Sequence, residues 1–222
     1  MNAGIPRVLR HNRRSRALLY LDIVRFMARK FLKDNLVSIV LFGSHARNEA
    51  TEISDIDILI VVKKRDDRVK KLERTLRNIS IKLGLTPPPR GPFRSILYVL
   101  SMSTGMFRPI FIAELNSIKR WDFRRTFQVS GVMSKLLAPK ESVKFTIMHS
   151  YRVVYGIDPF EDIATSPPSF IEIIKSLLMN MILAVCSILL IPFHRDMYRF
   201  LYEAIKWTMF NFSYVVGRPP SI

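Results

Sequence analysis

The sequence predicts an α/β chain: short strands alternate with amphipathic helices over residues 1–160, and a smaller helical domain fills 161–222. Three observations carry this. Two β-prone apolar runs, Ile39–Phe42 and Ile56–Val62, frame a glycine turn. Apolar residues recur at helical spacing on both sides of that pair. After Thr165-Ser166-Pro167-Pro168 the composition shifts to long apolar helices.

Taken in order, Arg7, Arg10, Arg13, Arg14 and Arg16 form a basic cluster, either a solvated leader or an arm that touches nucleic acid. A helix follows over Ser15–Lys33, with Leu19, Tyr20, Ile23, Met27 and Phe31 as its apolar stripe. Arg25, Arg29 and Lys33 repeat on another face, which reads more simply as solvated surface than as a phosphate track. After Asp34-Asn35 comes the first strand, Ile39–Phe42. Gly43 permits a sharp turn and a close approach to the backbone. Ser44 is placed to cap a short helix through His45, Ala46 and Arg47. The second strand, Ile56–Val62, opens with Asp55 and Asp57.

A charged turn, Lys63–Asp67, leads to a helix seamed by Val69, Leu72, Leu76, Ile79 and Leu83, with Gly84 as its C-cap. Thr86-Pro87-Pro88-Pro89 is a rigid loop. Ile96–Leu100 and Arg108–Leu115 read as two more strands, joined through a small polar turn, Ser101–Gly105. Ser117–Gln128 is helical, with Trp121, Phe123 and Phe127 interleaved among Lys119, Arg120, Arg124 and Arg125. That mixture suits base stacking, or more simply core residues under a solvated face. Lys135–Tyr155 has weak periodicity, and His149 reads as a structural histidine. In Phe170–Ile191 the run Ser176–Phe193 has no charge and reaches the lower limit for a membrane span. Glu172, Ser176, Asn180, Ala184 and Ser187 fall on one stripe of it, which suits tight helix packing. The last helix, Asp196–Val216, carries Asp196, Arg199, Glu203 and Lys206 on one side. A soluble helical pair is therefore expected here, and a membrane is not.

The chemistry concentrates in VLFGSHARNEATEISDIDILIVV, from Val40 to Val62. Residues two apart in a strand face one side, so Asp55 and Asp57 point together. Two carboxylates on one face repel without a cation between them, and Mg²⁺ favours such oxygens together with substrate phosphates. Amides at a helix start beside the Ser44 hydroxyl make an anion site. A phosphate pocket facing a metal pocket is what nucleotidyl transfer requires.

Gly43-Ser44, followed after ten residues by Asp55-Ile56-Asp57-Ile58, resembles the signature of the polymerase-β-like nucleotidyltransferases, in the minimal and kanamycin-nucleotidyltransferase-like branch. Tyr155-Gly156-Ile157-Asp158-Pro159 resembles a phrase that closes such domains. The resemblance implies a small mixed sheet flanked by helices, an NTP substrate and Mg²⁺, with Mn²⁺ as a substitute. It implies Asp55 and Asp57 as metal ligands and catalytic residues. Gly43, Ser44, His45 and Arg47 would bind the nucleotide. A third acid belongs on a neighbouring strand, and Glu114 is the candidate there, with Asp122 and Glu141 as substitutes. Asn48 stands where relatives often carry Gly, and Asn tolerates a left-handed turn. The acceptor hydroxyl would belong to RNA or tRNA, a protein, or a small molecule. The alternatives on this fold are an impaired nucleotide- or RNA-binding protein and an antitoxin-like module that docks a helical partner protein.

The net charge of +17 suits nucleic acid, nucleotide phosphates or an anionic membrane surface, unless a basic proteome accounts for it. One cysteine, Cys186, excludes an internal disulfide. With no apolar leader after the N-terminal basic residues, a cytoplasmic protein is expected.

Overall fold

The computed structural model describes residues 12–51, 54–86, 108–129, 139–192 and 198–215. The chain divides into two compact units, Met1–Ser130 with Ser150–Ile163, and Gly131–His149 with Ala164–Ile222. Residues 131–149 thus group with the C-terminal helices, whereas a boundary at 160 leaves them with the first domain.

Among the described residues, the first unit is a four-stranded mixed sheet covered by helices. Its strands are β1 (Leu36–Phe42), β2 (Asp57–Val62), β3 (Ile110–Glu114) and β4 (Tyr151–Gly156), in the order β3-β2-β1-β4. β1 runs antiparallel to β2 and β4, and β2 runs parallel to β3. Two long helices, α1 (Arg13–Leu32) and α2 (Asp67–Lys82), share one core with the sheet. Ile39, Leu41, Ile58, Ile60, Val62 and Ile112 supply the sheet side of that core, every second residue as the pleat requires.

Helix α1 begins at an Asn12 cap that accepts the Ser15 amide. Its buried stripe is Ala17, Tyr20, Leu21, Val24, Ala28 and Leu32. This is a rotation from the expected stripe. Tyr20 is buried and Ile23 and Met27 pack partly buried against the core as expected, whereas Leu19 and Phe31 are exposed and Ala17, Val24 and Ala28 are buried instead. Arg25, Arg29 and Lys33 are exposed, as expected, and the Arg29 guanidinium lies 5.2 Å from the Tyr155 ring centre. Helix α2 is capped by Asp66, which accepts the Val69 amide at 2.9 Å. That bond, with Arg68 beside it, holds the Asp66 carboxyl below its usual range. Val69, Leu72 and Leu76 are buried in α2 as its spacing predicts, and Gly84 follows its last turn.

The expected strand at Ile96–Leu100 and the turn at Ser101–Gly105 lie outside the described residues. Ser117–Gln128 is not one helix but two, α3 (Leu115–Lys119) and α4 (Phe123–Phe127). Trp121 takes a left-handed φ of +48°, and the Asp122 side chain caps α4 through the Arg125 amide. Phe127 packs edge-on against Phe111 and Trp121 at 5.4 and 6.1 Å, so these aromatics are packing residues.

Strand β4 was not anticipated. It pairs with β1 over Ser38–Phe42 and is followed by the Gly156-Ile157-Asp158 turn. Gly156 has φ +84°, and a Cβ there would lie 2.0 Å from the Val37 carbonyl oxygen, so no side chain fits between β4 and β1. Asp158 accepts the Phe160 amide at 2.9 Å and the Tyr151 hydroxyl at 2.7 Å. Burial, then that carboxylate, pushes the Tyr151 hydroxyl up to about 12.

The second unit holds α5 (Lys140–Met148), α6 (Phe170–Leu190) and α7 (Tyr198–Val215). Glu172, Ser176, Asn180 and Ser187 are buried in α6, so the small and polar stripe does face a neighbour. Asn211 donates to the Ser176 hydroxyl at 2.9 Å, and Asn180 to that of Thr208 at 3.2 Å. The segment Phe170–Leu189 is long and apolar enough to cross a membrane by length and composition. His149 closes α5, with its Nδ1 2.8 Å from the Phe145 carbonyl, a structural role.

Candidate active site

The site forms where β1 ends and β2 begins. Phe42 pairs with Asp57 in the antiparallel register, so the turn after β1 lies beside the first residue of β2. Gly43, Ser44 and His45 form a single 3₁₀ turn, in which the Ala46 amide donates to the Gly43 carbonyl at 3.0 Å. No side chain caps this turn, so Ser44 is not an N-cap. Its hydroxyl remains a candidate phosphate donor. Gly43 has φ +74°, and a Cβ there would lie 2.9 Å from Asp57 Oδ2. The absent side chain is the space that the Asp57 carboxylate occupies. Asn48 sits at φ +62°, in the left-handed conformation its side chain tolerates.

Asp55 precedes β2 by two residues, and the Arg13 guanidinium donates to its Oδ1. Arg47 does not reach out alone. Its Nε donates to Glu49 at 2.6 Å. His45 is 5% exposed, and its Nε2 is buried without a hydrogen-bond partner. Burial, then the neighbouring Arg14 charge, lowers its pKa, so the ring is neutral near pH 7.

Glu114 is not part of this site. In the parallel β2–β3 ladder it stands opposite Val62, five residues along from Asp57. At about 3.3 Å per residue that is roughly 16 Å away. It is also on the other face, because five residues is an odd number of steps. Its carboxylate instead accepts the Arg65 amide at 2.8 Å. The proposed substitutes are engaged elsewhere. Asp122 caps α4, and Glu141, in the second unit, accepts the Ser169 amide at 3.0 Å. At the level of Asp57, β3 is entered through Arg108 and Pro109 rather than a carboxylate. Among the described residues, no group of three or more His, Cys, Asp or Glu gathers to hold a metal.

The donors present still fit a triphosphate-bound Mg²⁺. That ion keeps several waters and needs only one or two carboxylates beside the phosphates. Asp55 and Asp57 are the residues here that could supply those carboxylates. The Arg13 guanidinium already brings positive charge to Asp55. Arg13 joins this site from α1, 42 residues before Asp55. In the sequence it is only one member of a basic cluster, and nothing in its spacing points at Asp55.

Residues 22–89 match the nucleotidyltransferase domain family, a span that includes Gly43, Ser44, Asp55 and Asp57. Two chains of Methanocaldococcus jannaschii, provisionally described as protein adenylyltransferases, are similar to this one. The first is 43% identical over 60 residues, covering 25% of this chain and 41% of its own length. The second is 48% identical over 54 residues, covering 23% of this chain and 54% of its own length. The matched segments thus span about half or less of these relatives. Among solved structures, a spectinomycin adenyltransferase from Enterococcus faecialis, with ATP and spectinomycin, is similar at 17% identity and a TM-score of 0.46. It covers 75% of this chain and 67% of its own.

Proposed function

We propose, from the match of residues 22–89 to the nucleotidyltransferase domain family, that the chain is a nucleotidyltransferase of the polymerase-β-like kind and transfers a nucleoside monophosphate from an NTP to an acceptor hydroxyl, releasing pyrophosphate. The observation that carries this is the apposition of the Gly43–His45 turn and the Asp57 carboxylate across paired strands. The turn amides and the Ser44 hydroxyl take the β and γ phosphates. Asp55 and Asp57 would hold Mg²⁺, which when bound would neutralise charge on the triphosphate. The acceptor hydroxyl attacks the α-phosphorus in line and gives up its proton to solvent, one P–O bond forms, and the bond to the β-phosphate bridge breaks as pyrophosphate leaves. Positioning and charge neutralisation supply the rate. The relatives' description favours ATP as donor and a protein hydroxyl as acceptor.

A second reading has its own observation. The described residues supply two metal carboxylates and no third, which suits a protein that binds Mg²⁺–triphosphate without turning it over. One experiment separates the two. The protein is incubated with α-³²P-ATP, Mg²⁺ and a cell lysate, beside the Asp55→Asn, Asp57→Asn double variant. Label fixed to a protein band by the wild type alone supports transfer. Label retained on a filter without transfer supports the binder. Equal nucleotide binding by the double variant refutes the site itself.

A further inference from the structure

We propose that Arg13 is a built-in counter-ion for Asp55, which a divalent cation must displace to enter the site. This rests on the reading of Asp55 as a metal ligand. Asp55 and Asp57 bring two like charges to one end of β2, and the protein without metal must neutralise them in another way. Arg13 does so from the first turn of α1, 42 residues away in sequence.

The contact is anchored and not a casual surface pair. The same Arg13 Nη2 donates to the Leu85 carbonyl at 3.2 Å. One turn on, Arg16 Nη1 donates to the Leu83 carbonyl at 2.9 Å. Both carbonyls follow the C-terminus of α2, the negative end of its dipole, where arginine side chains are stabilised. Ala17 and Tyr20 bury the next turn of α1 in the core, so the helix cannot swing the arginines away. The Arg13 side chain is 15% exposed and that of Asp55 30%, so water screens the pair only partly.

A guanidinium and a divalent ion cannot share this carboxylate without repulsion. Binding of bare metal must therefore break the Arg13–Asp55 pair. A site arranged in this way stays closed to free cations and stable without them.

The test uses Mn²⁺ alone, without nucleotide, titrated calorimetrically into the full chain. Arg13→Gln is expected to bind Mn²⁺ at least tenfold tighter than wild type. Its metal-free melting temperature should fall, and Mn²⁺ should recover the loss. Arg13→Lys keeps the charge and is expected to stay near wild-type affinity. Equal or weaker Mn²⁺ binding by Arg13→Gln overturns the counter-ion role and leaves the metal site standing. A gain by Arg13→Lys equal to that of Arg13→Gln also overturns it, because lost hydrogen bonds rather than charge would then be the cause. No Mn²⁺ binding by either protein overturns this role and the metal-site reading together.

Discussion

Gly43→Ala tests the site at its tightest point. The added Cβ would lie 2.9 Å from Asp57 Oδ2 on a backbone held at φ +74°. Two costs follow. A left-handed conformation costs an alanine about 1–2 kcal/mol. The carboxylate must also retreat by about 0.5 Å to restore an ordinary contact of 3.4 Å. The first cost falls on stability and the second on the ligand. Urea unfolding should show a loss of about 1–2 kcal/mol with an unchanged slope. Calorimetry with Mg²⁺–ATP should show at least tenfold weaker binding, about 1.4 kcal/mol. Gly43→Asn separates the two costs. Asparagine tolerates φ > 0, as Asn48 does here at +62°. It should regain most of the stability while its Cβ keeps binding weak. Wild-type affinity in both variants would refute the close packing of Gly43 on Asp57 as a functional constraint.

Three further outcomes are expected. Tyr20→Phe removes the hydroxyl that donates to the Leu76 carbonyl at 3.2 Å in the core. It should cost about 1 kcal/mol in urea unfolding, and no change would mean that water satisfies that carbonyl. Burial, then Arg14, lowers the His45 pKa below the 6.5 of an unfolded histidine. Below pH 6.5 the unfolded chain therefore binds a proton that the folded chain refuses. Stability should fall as pH drops from 6.5 toward the lowered value, by about 1.4 kcal/mol per unit of depression. His45→Gln should flatten that segment of a thermal pH profile, and an unchanged profile would assign it to other groups. Glu114→Gln should leave label transfer unchanged, since its carboxylate serves the Arg65 amide at the far end of β2 and β3. A fall of orders of magnitude would show that the β2–β3 register is misassigned.

The sequence by itself determined what depends on near neighbours. Ile39–Phe42, Gly43 and Ile58–Val62 declare strand, turn and strand through local propensity and period. The antiparallel pairing of β1 and β2 then brings Gly43 onto Asp57. The α2 seam of Val69, Leu72 and Leu76 was legible for the same reason, and so was the left-handed Asn48. Tertiary structure decided the rest, where choices are made over long sequence separations. Glu114 lies in a plausible strand, but only the β2–β3 register puts it on the wrong face and at the wrong end. Tyr151–Gly156 has β-prone residues, yet it becomes a strand because β1 leaves an edge open 109 residues earlier, as the Phe42–Tyr151 pair measures along the chain. Helix α1 carries apolar residues on more than one face, and packing in the core it shares with the sheet and α2 buried Ala17 and Ala28 rather than Leu19 and Phe31. The Arg13–Asp55 pair has no local signal at all. A charge finds its partner in the folded chain, where the α2 terminus and the α1 core contacts hold the guanidinium against the carboxylate.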